Sequence, residues 1–543
     1  MTATQPSAPP APTASSGDAA PTALAPMTHR EVLEALTGLL LAMFVAMLSS
    51  TVVSNALPRI VTDLHGSQTG YTWVVVATLL TMTATTPIWG KLADQFSKKL
   101  LVQSALVIYS VGSLIAATAP SMGVLIGARA VQGLGVGGLT ALVQVVIASM
   151  VSPRERGRYA GYIGATFALA TVSGPLVGGV LVDSVGWRWC FYVGLPFAAL
   201  AFVVLQRTLH LPVVRREVHI DYLGATLLVG GVSLLLVWVS LAGNQFGWTS
   251  GTSLALVASG LLVVAAAVLV EARFAREPVI PLRLFRDRTT ALATVASVLV
   301  GVAMFGATVY LSQYFQLARG MSPTHAGLMS VCMVGGLLVS SIVSGRTITR
   351  TGRWKRFLVG GMVLVITGMA LLSTIDEKTA LWQVGVFMAV LGLGLGATMQ
   401  NLVLAVQNNA AHADMGAASA VVTFFRSMGG SIGVSALGAV LSHRVAATVT
   451  SGLQQMGVAT SSNESHTIPD LATLPAPVRA LFEHAFGAAT GDLFLIAVPF
   501  AVLALGAVLL IREVPLRTTI LKDDELAPEV SAELGVDQPG GVR

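Results

Sequence analysis

The sequence predicts an all-α membrane protein of 14 transmembrane helices, built as two six-helix pseudo-repeat bundles plus two inserted helices. Three observations predict it. Of 543 residues, 54% are apolar and only 11% are charged, against about 25% charged in a soluble domain. A mean hydropathy of +0.76 leaves too little polar surface to cover a water-soluble globule. Apolar runs long enough to cross a bilayer recur fourteen times. The basic residues, finally, collect in alternate short connections. This excludes a disordered chain, a disulfide scaffold, a collagen and an ordinary cytosolic enzyme.

A bilayer core of about 30 Å needs roughly 20 helical residues. The segments that qualify are 35–57, 71–90, 99–119, 122–149, 158–182, 188–206, 222–243, 252–270, 290–317, 324–345, 357–375, 380–406, 416–443 and 493–511. With the N-terminus inside, inner segments hold 24 Lys and Arg and outer segments hold 6, while Arg129 and Arg426 fall within spans. That bias sets an even number of spans with both ends cytoplasmic. It also explains the net charge of +6 without nucleic acid. Abundant Ala, Gly, Val and Arg suggest a GC-rich bacterial genome, so the expected location is a bacterial cytoplasmic (inner) membrane.

The chain divides accordingly. Residues 1–34 are an Ala/Pro/Thr/Ser-rich cytoplasmic tail without a signal-peptide pattern, ending in a short surface helix near 28–36. Residues 35–208 form the first bundle and 209–289 the two inserted helices with their linkers. Residues 290–512 form the second bundle, including an extracytoplasmic segment 444–492 that is read as an inert loop rather than a lid. Residues 513–543 are a cytoplasmic tail. Asn463-Glu464-Ser465 spells a glycosylation sequon that a bacterial protein would not use by default.

The connection after span 2 reads Gly90-Lys91-Leu92-Ala93-Asp94-Gln95-Phe96-Ser97-Lys98-Lys99. Gly90 permits a tight turn. Asp94, among three lysines, suits a helix N-terminus or an interhelical pair. A degenerate copy, Gly345-Arg346-Thr347-Ile348-Thr349-Arg350-Thr351-Gly352-Arg353, follows span 10, with Thr349 in place of the acid. Two related halves are the pattern of parallel-repeat transporters. In span 5, Ala170, Gly174 and Gly178 share one helix face and permit close packing, and Pro175 removes a backbone hydrogen bond and can kink the helix.

Two catalytic lookalikes fail on context. Gly133-Leu134-Gly135-Val136-Gly137-Gly138 lies inside span 4 with no strand before it, so it is helix packing rather than a dinucleotide loop. Gly429-Gly430-Ser431-Ile432-Gly433 lies mid-span, not on a strand-turn-helix elbow. Cys190 and Cys332 form no redox or metal motif. No cofactor, metal site, Walker A motif or enzymatic acid/base set is expected.

These motifs together resemble the major facilitator superfamily, in its group of drug:proton antiporters with fourteen spans. The loop after span 2 is similar to the signature GxLaDrxGrk, with Ser97 replacing its second Gly. Arg129-Ala130-Val131-Gln132-Gly133 resembles RxxQG, and Gly174-Pro175-Leu176-Val177-Gly178-Gly179 resembles the GPxxGG antiporter motif. Gly186-Trp187-Arg188-Trp189, Ala405-Val406-Gln407-Asn408 and Phe424-Phe425-Arg426-Ser427-Met428-Gly429-Gly430 fit the same group. The resemblance covers about residues 35–515 and implies a proton-driven multidrug exporter. One departure is clear: Ser49 stands where the group carries an Asp that is its proton-carrier candidate, and no carboxylate lies deep within any span.

The expected function is therefore export of lipophilic or amphipathic small molecules by alternating access, with lipid export as the alternative. The expected partners are those substrates, protons and membrane lipids, with a monomer as the working unit. Gating residues are expected at Gly90, Asp94, Lys98, Gly174, Pro175, Gly178 and Gly179. Asp94 and Arg129 are candidates for proton coupling. The cavity candidates are Ser49, Ser50, Asn55, Arg129, Gln132, Gln144, Gln313, Gln316, Gln400, Asn401, Phe425 and Arg426. The two in-span arginines, without the span 1 Asp, are expected to give the cavity a positive field.

Overall fold

A backbone in lipid must bond its own N–H and C=O groups, and a helix does so within one segment. Helices accordingly account for nearly all of the described chain. The computed structural model describes residues 29–65, 68–209, 221–242, 246–274, 278–411, 414–456 and 475–517. Fourteen stretches are long and apolar enough to cross a membrane. They comprise α1 (His29–Asp63), α2 (Gln68–Gln95), α3 (Lys98–Ala117), α4 (Met122–Met150), α5 (Pro153–Ser184), the pair α6 (Trp189–Tyr192) and α7 (Gly194–Thr208), α8 (Tyr222–Leu241) and α9 (Gly251–Arg273). The remainder are α10 (Arg288–Gln313), α11 (Pro323–Thr351), α12 (Lys355–Leu372), α13 (Leu381–Asn409), α14 (Met415–Gln455) and α15 (Ala476–Leu510). A π-helical turn, Tyr314–Ala318, prolongs α10.

Local chemistry sets many of the ends. Asp221, Ser250, Asp287 and Ser322 accept from backbone N–H groups of the first turns of α8, α9, α10 and α11. These bonds satisfy donors that have no partner inside the helix. Gly352 closes α11 in the left-handed region at φ +69°, which a side chain would strain.

The packing repeats. Helix α4 lies on α2 and α3, and α1 on α5 and α7; correspondingly α13 lies on α11 and α12, and α10 on α14 and α15. Small residues permit the approach, as expected where lipid supplies no hydrophobic drive. Side chains at Gly133 and Gly137 would meet the Thr78 and Met82 carbonyls, and side chains at Gly392 and Gly396 would strike those of Met333 and Leu337. Two seams join the groups: α2 against α14, and α5 against α11. The pair α8/α9 rests on α2 and α14. We call the face where α1 begins and α15 ends the terminal face.

Two expectations are corrected. Residues 29–36 are the first turns of α1 and not a separate surface helix. Much of segment 444–492 is not loop: α14 continues to Gln455 and α15 begins at Ala476. Arg444 pairs with Asp492 at 2.7 Å, and Leu481 packs over Gly452, so the two extensions brace each other. The sequon at 463–465, residues 1–28, the linker 210–220 and the tail beyond 517 lie outside the described residues.

The glycine contacts make a stability prediction. A methyl group at Gly392 meets backbone that cannot turn aside, and overpacking costs about 1–3 kcal/mol. At Gly360 on α12 nothing lies within 4 Å. In detergent, Gly392→Ala is expected to lower Tm by several degrees and reduce yield, with Gly360→Ala unchanged. Equal melting of both variants would remove the close-packing argument.

Candidate functional site: the terminal-face gate

Asp94 lies one residue before the end of α2, and its carboxylate reaches across the first seam. Oδ1 accepts from Gly416 N–H at 2.7 Å and Oδ2 from Ala417 N–H at 2.9 Å. Both donors belong to the first turn of α14 and have no acceptor in their own helix. The acid also meets the positive end of the helix dipole, an interaction worth up to about 2 kcal/mol when partly buried. Gly90, one turn earlier, makes the approach possible: a Cβ there would collide with Ala420 and lie 2.8 Å from the Gly416 carbonyl. Lys98 begins α3 close by. Just beyond, Arg283 pairs with Asp414, the residue preceding α14, at 2.8 Å.

The second seam closes with different chemistry. Gly161 and Gly164 on α5 let Ile342 and Ser341 of α11 come close. Arg154 donates to the carbonyls of Thr349 and Arg350 at 3.2 and 3.4 Å. Arg156 is buried, binds the Val151 and Ala148 carbonyls, and donates to Gln407 Oε1 of α13 at 2.9 Å. Burial, followed by the Arg517 charge, pushes the Arg156 guanidinium down to about 9, so it stays cationic at pH 7. Gln407 in turn donates to Ser419 of α14 at 2.8 Å.

Between the seams, Gln144 of α4 donates to Gln400 of α13 at 3.1 Å. These two residues, with Arg156, Ile163, Asn401 and Gln407, line a cavity of ≈ 30 Å³. That is room for about one water. The named hydrogen bonds between the two groups thus lie toward the terminal face. Toward the opposite face, the named side-chain bonds stay within a group: Trp187 donates to Asp63 at 3.0 Å, and Arg319 to Glu377 and Thr379 carbonyls at 2.7 and 2.8 Å.

Several expected cavity residues are placed elsewhere. Arg129 is buried in the first group, donating to the Val74 carbonyl at 3.4 Å and Gln132 Oε1 at 2.6 Å. Gln132 donates to Ser113 at 2.7 Å, and the Tyr109 side chain lies beside Ser113 and Ser49. Ser49, Arg129 and Gln132 therefore belong to an internal network rather than an open lining. Burying a guanidinium in apolar surroundings requires such partners. Arg426 is buried too, donating to the Met399 carbonyl at 3.5 Å. Phe425 does not face the seam cavity: it sits edge-on to Phe424 and Phe285, in the cluster that α8 residues Leu228, Val232 and Leu236 share. Its aromatic surface seals the inserted pair against α14.

Gln313 and Gln316 lie at the far end of α10, where Gln316 bonds Ser312 at 3.1 Å. Ser50 is exposed and Gly179 is half-buried. Gly174 packs onto Thr51, and Gly178 would place a Cβ 3.0 Å from the Val52 carbonyl, so this row meets α1. Helix α5 is continuous through position 175, but the side chains of Pro175 and Asn55 lie outside the described residues. The sequence reading missed Tyr109, Ser113, Arg154 and Arg156. The arginines read as ordinary inner-loop charge; Pro153, which starts a helix well, was the signal that they sit on its first turn.

A multi-span helical protein whose two repeat-related groups meet along two seams bridged by polar contacts has the architecture of a transporter. The chain belongs to the major facilitator superfamily, whose family model matches residues 39–434. It is 35% identical over 493 residues to the efflux pump dotC of Dothistroma septosporum, covering 89% of this chain and 84% of that protein. It is also 35% identical over 410 residues to the multidrug transporter protein MdtP of Bacillus subtilis, covering 75% of each. Among solved structures, the human organic anion transporter MFSD10 matches with a TM-score of 0.57 and 14% identity, over 87% of this chain and 99% of that one. The proton:xylose symporter XylE matches with a TM-score of 0.57 and 13% identity, over 87% and 96%. At that identity the structures establish the fold alone.

The Asp94 geometry yields a prediction. Asn in its place keeps one acceptor and loses the charge. Asp94→Asn is expected to lower the transport rate several-fold while ligand affinity stays within a few fold. Parent-like turnover would mean that the α2–α14 contact is not a latch.

Proposed function

We propose that this protein is a secondary active exporter of lipophilic or amphipathic small molecules, working by alternating access and driven by the proton gradient. The observation that carries the reading is the gate just described, in which both seams are held at one face by a few polar contacts. Each such contact can exchange for water when the gate opens, because the net worth of a hydrogen bond to a charged group is about 1.5–3 kcal/mol. Relatives named as an efflux pump and a multidrug transporter support export as the direction. On this reading the structure is the state closed at the cytoplasmic side, and the two groups rock about the seams.

Lipid export is the second reading. An apolar groove of ≈ 490 Å³ lies between α11 and α13, bordered by Met329, Cys332, Trp382 and Val386. A tail could travel there while a headgroup passes between the seams. Everted vesicles with an imposed proton gradient, tested against cationic, neutral and anionic amphiphiles and a fluorescent phospholipid, separate the readings. Gradient-dependent accumulation of small amphiphiles supports the first, movement of the phospholipid alone the second, and accumulation of neither rejects both.

Substrate charge gives a sharper prediction. Ser49 lies beside Tyr109, next to the hydrogen-bonded run Ser113–Gln132–Arg129, and none of these named residues is acidic. A carboxylate introduced as Ser49→Asp would oppose that positive charge. Its expected effect is a shift of preference toward organic cations, by about tenfold for one unit of charge interaction near 1.4 kcal/mol. An unchanged substrate profile, in a parent that already exports monovalent cations well, would reject the positive-field reading.

A further inference from the structure

The second seam lacks the acid that closes the first. Position 349, the repeat counterpart of Asp94, is Thr349, so no carboxylate there can cap the facing helix. That helix is α5, which begins at Pro153 as α14 begins at Met415. In α14 the capped N–H at the second helical position belongs to Gly416. In α5 the corresponding N–H is that of Arg154, and its acceptor comes from the far end of the chain: the Arg517 carbonyl, at 3.2 Å.

Residues 513–517 reach that position as a strap along the terminal face. Trp354 Nε1 donates to the Val514 carbonyl at 2.9 Å, and the Lys355 N–H to Glu513 Oε1 at 3.0 Å. Asn408, near the end of α13, both donates to the Pro515 carbonyl at 3.1 Å and accepts from Arg517 N–H at 3.0 Å. Leu516 is buried in the core of the second group. The Arg517 guanidinium donates to the Gln407 and Ala410 carbonyls at 2.8 and 3.1 Å. Those carbonyls end α13 and carry the negative end of its dipole. One residue therefore presents a cation to the C-terminus of α13 and a carbonyl to the N-terminus of α5.

We propose that the segment 513–517 is a working part of the gate, with Arg517 as the positioning residue that closes the α5 seam in place of the acid missing at position 349. The strap has six named bonds and a buried leucine on the second group and one named bond to the first. It stays with the second group when the gate opens, and the bond that breaks is the one to Arg154. The inference rests on the alternating-access reading, so its test reads the gate separately from transport.

The first measurement uses a chain in which Cys190 and Cys332 are replaced by Ala and Ile163, at the seam cavity, by Cys. A membrane-impermeant maleimide is supplied at the terminal face. Arg517→Ala, and a chain ending at Arg512, are expected to be labelled at least fivefold faster than the parent background. Lys355→Ala, which removes the Nζ donation to the Leu509 carbonyl at 2.9 Å within the second group and keeps the backbone N–H that holds Glu513, is expected to match that background. Labelling of both strap variants at the background rate overturns the proposal. The second measurement uses Arg154→Cys with Arg517→Cys in the same cysteine-free chain. Oxidation to the disulfide is expected to cut transport at least tenfold, with recovery on reduction. Full cross-linking with transport intact would show that the strap never parts from α5, which also overturns it. A parent that transports none of the tested compounds counts against the exporter reading, while the labelling comparison still decides the strap.

Discussion

The first turn of α14 holds two N–H groups that point out of the helix, and one carboxylate on another helix answers both. That contact constrains much of what surrounds it. Asp94 can reach only because Gly90 lets α2 approach the Gly416 carbonyl. Arg283 and Asp287 bond Asp414 and Asn409 on either side of the turn into α14, holding its start where Asp94 can find it. The α8/α9 pair then seals the outside of the same seam through Phe424 and Phe425. A neutral side chain at position 94 would leave the packing in place and remove the electrostatic reason for the seam to close.

Much of this was legible in the sequence, for reasons that can be named. Span count and order follow from apolar length, because a bilayer imposes the same length on every helix. Asp94 stood out because it is the one acid in a lysine-rich turn. The extension of α14 to Gln455 was not legible, because a hydropathy window stops where lipid contact stops, not where the helix stops; the start of α15 was legible in part, as a helical-looking stretch from Pro475 to Phe486. The cavity list failed where a polar residue in a span had two possible uses. Gln132 and Gln144 both sit on α4, yet one bonds inside its own group and the other bonds Gln400 across the seam. Helical phase sets them about 120° apart around α4, and only the position of the neighbouring helices says which of the two faces the seam.

The buried arginines follow a common rule with different consequences. Arg129 and Arg156 are each enclosed, and each is satisfied by backbone carbonyls and a glutamine. A guanidinium suits this role because its donors are spread over a plane and its charge is weakly hydrated. Arg129 has its named partners on α2 and α4, so it stiffens the first group whatever the gate does. Arg156 has one named partner, Gln407, on the other group, so on the alternating-access reading its environment changes when the seam opens. A charge that has to exchange a buried partner for water contributes to the energy difference between states, which a charge buried in both states does not.

The two seams therefore reach similar closure from unequal parts. At α2–α14 a carboxylate accepts from helix N–H groups, whereas at α5–α11 the Arg154 guanidinium donates to helix C-terminal carbonyls. The polarity is reversed although the helices are repeat-related. Reversal leaves the N–H of Arg154 unanswered by α11, and the Arg517 carbonyl answers it from outside the repeat. Degeneration of the second loop, with Thr349 for the acid, is thus compatible with a closed gate because a neighbouring segment supplies the acceptor. A neutral carbonyl attracts an N–H less strongly than a carboxylate does. The α5–α11 seam is accordingly the weaker of the two at the backbone, and it depends more on its arginines.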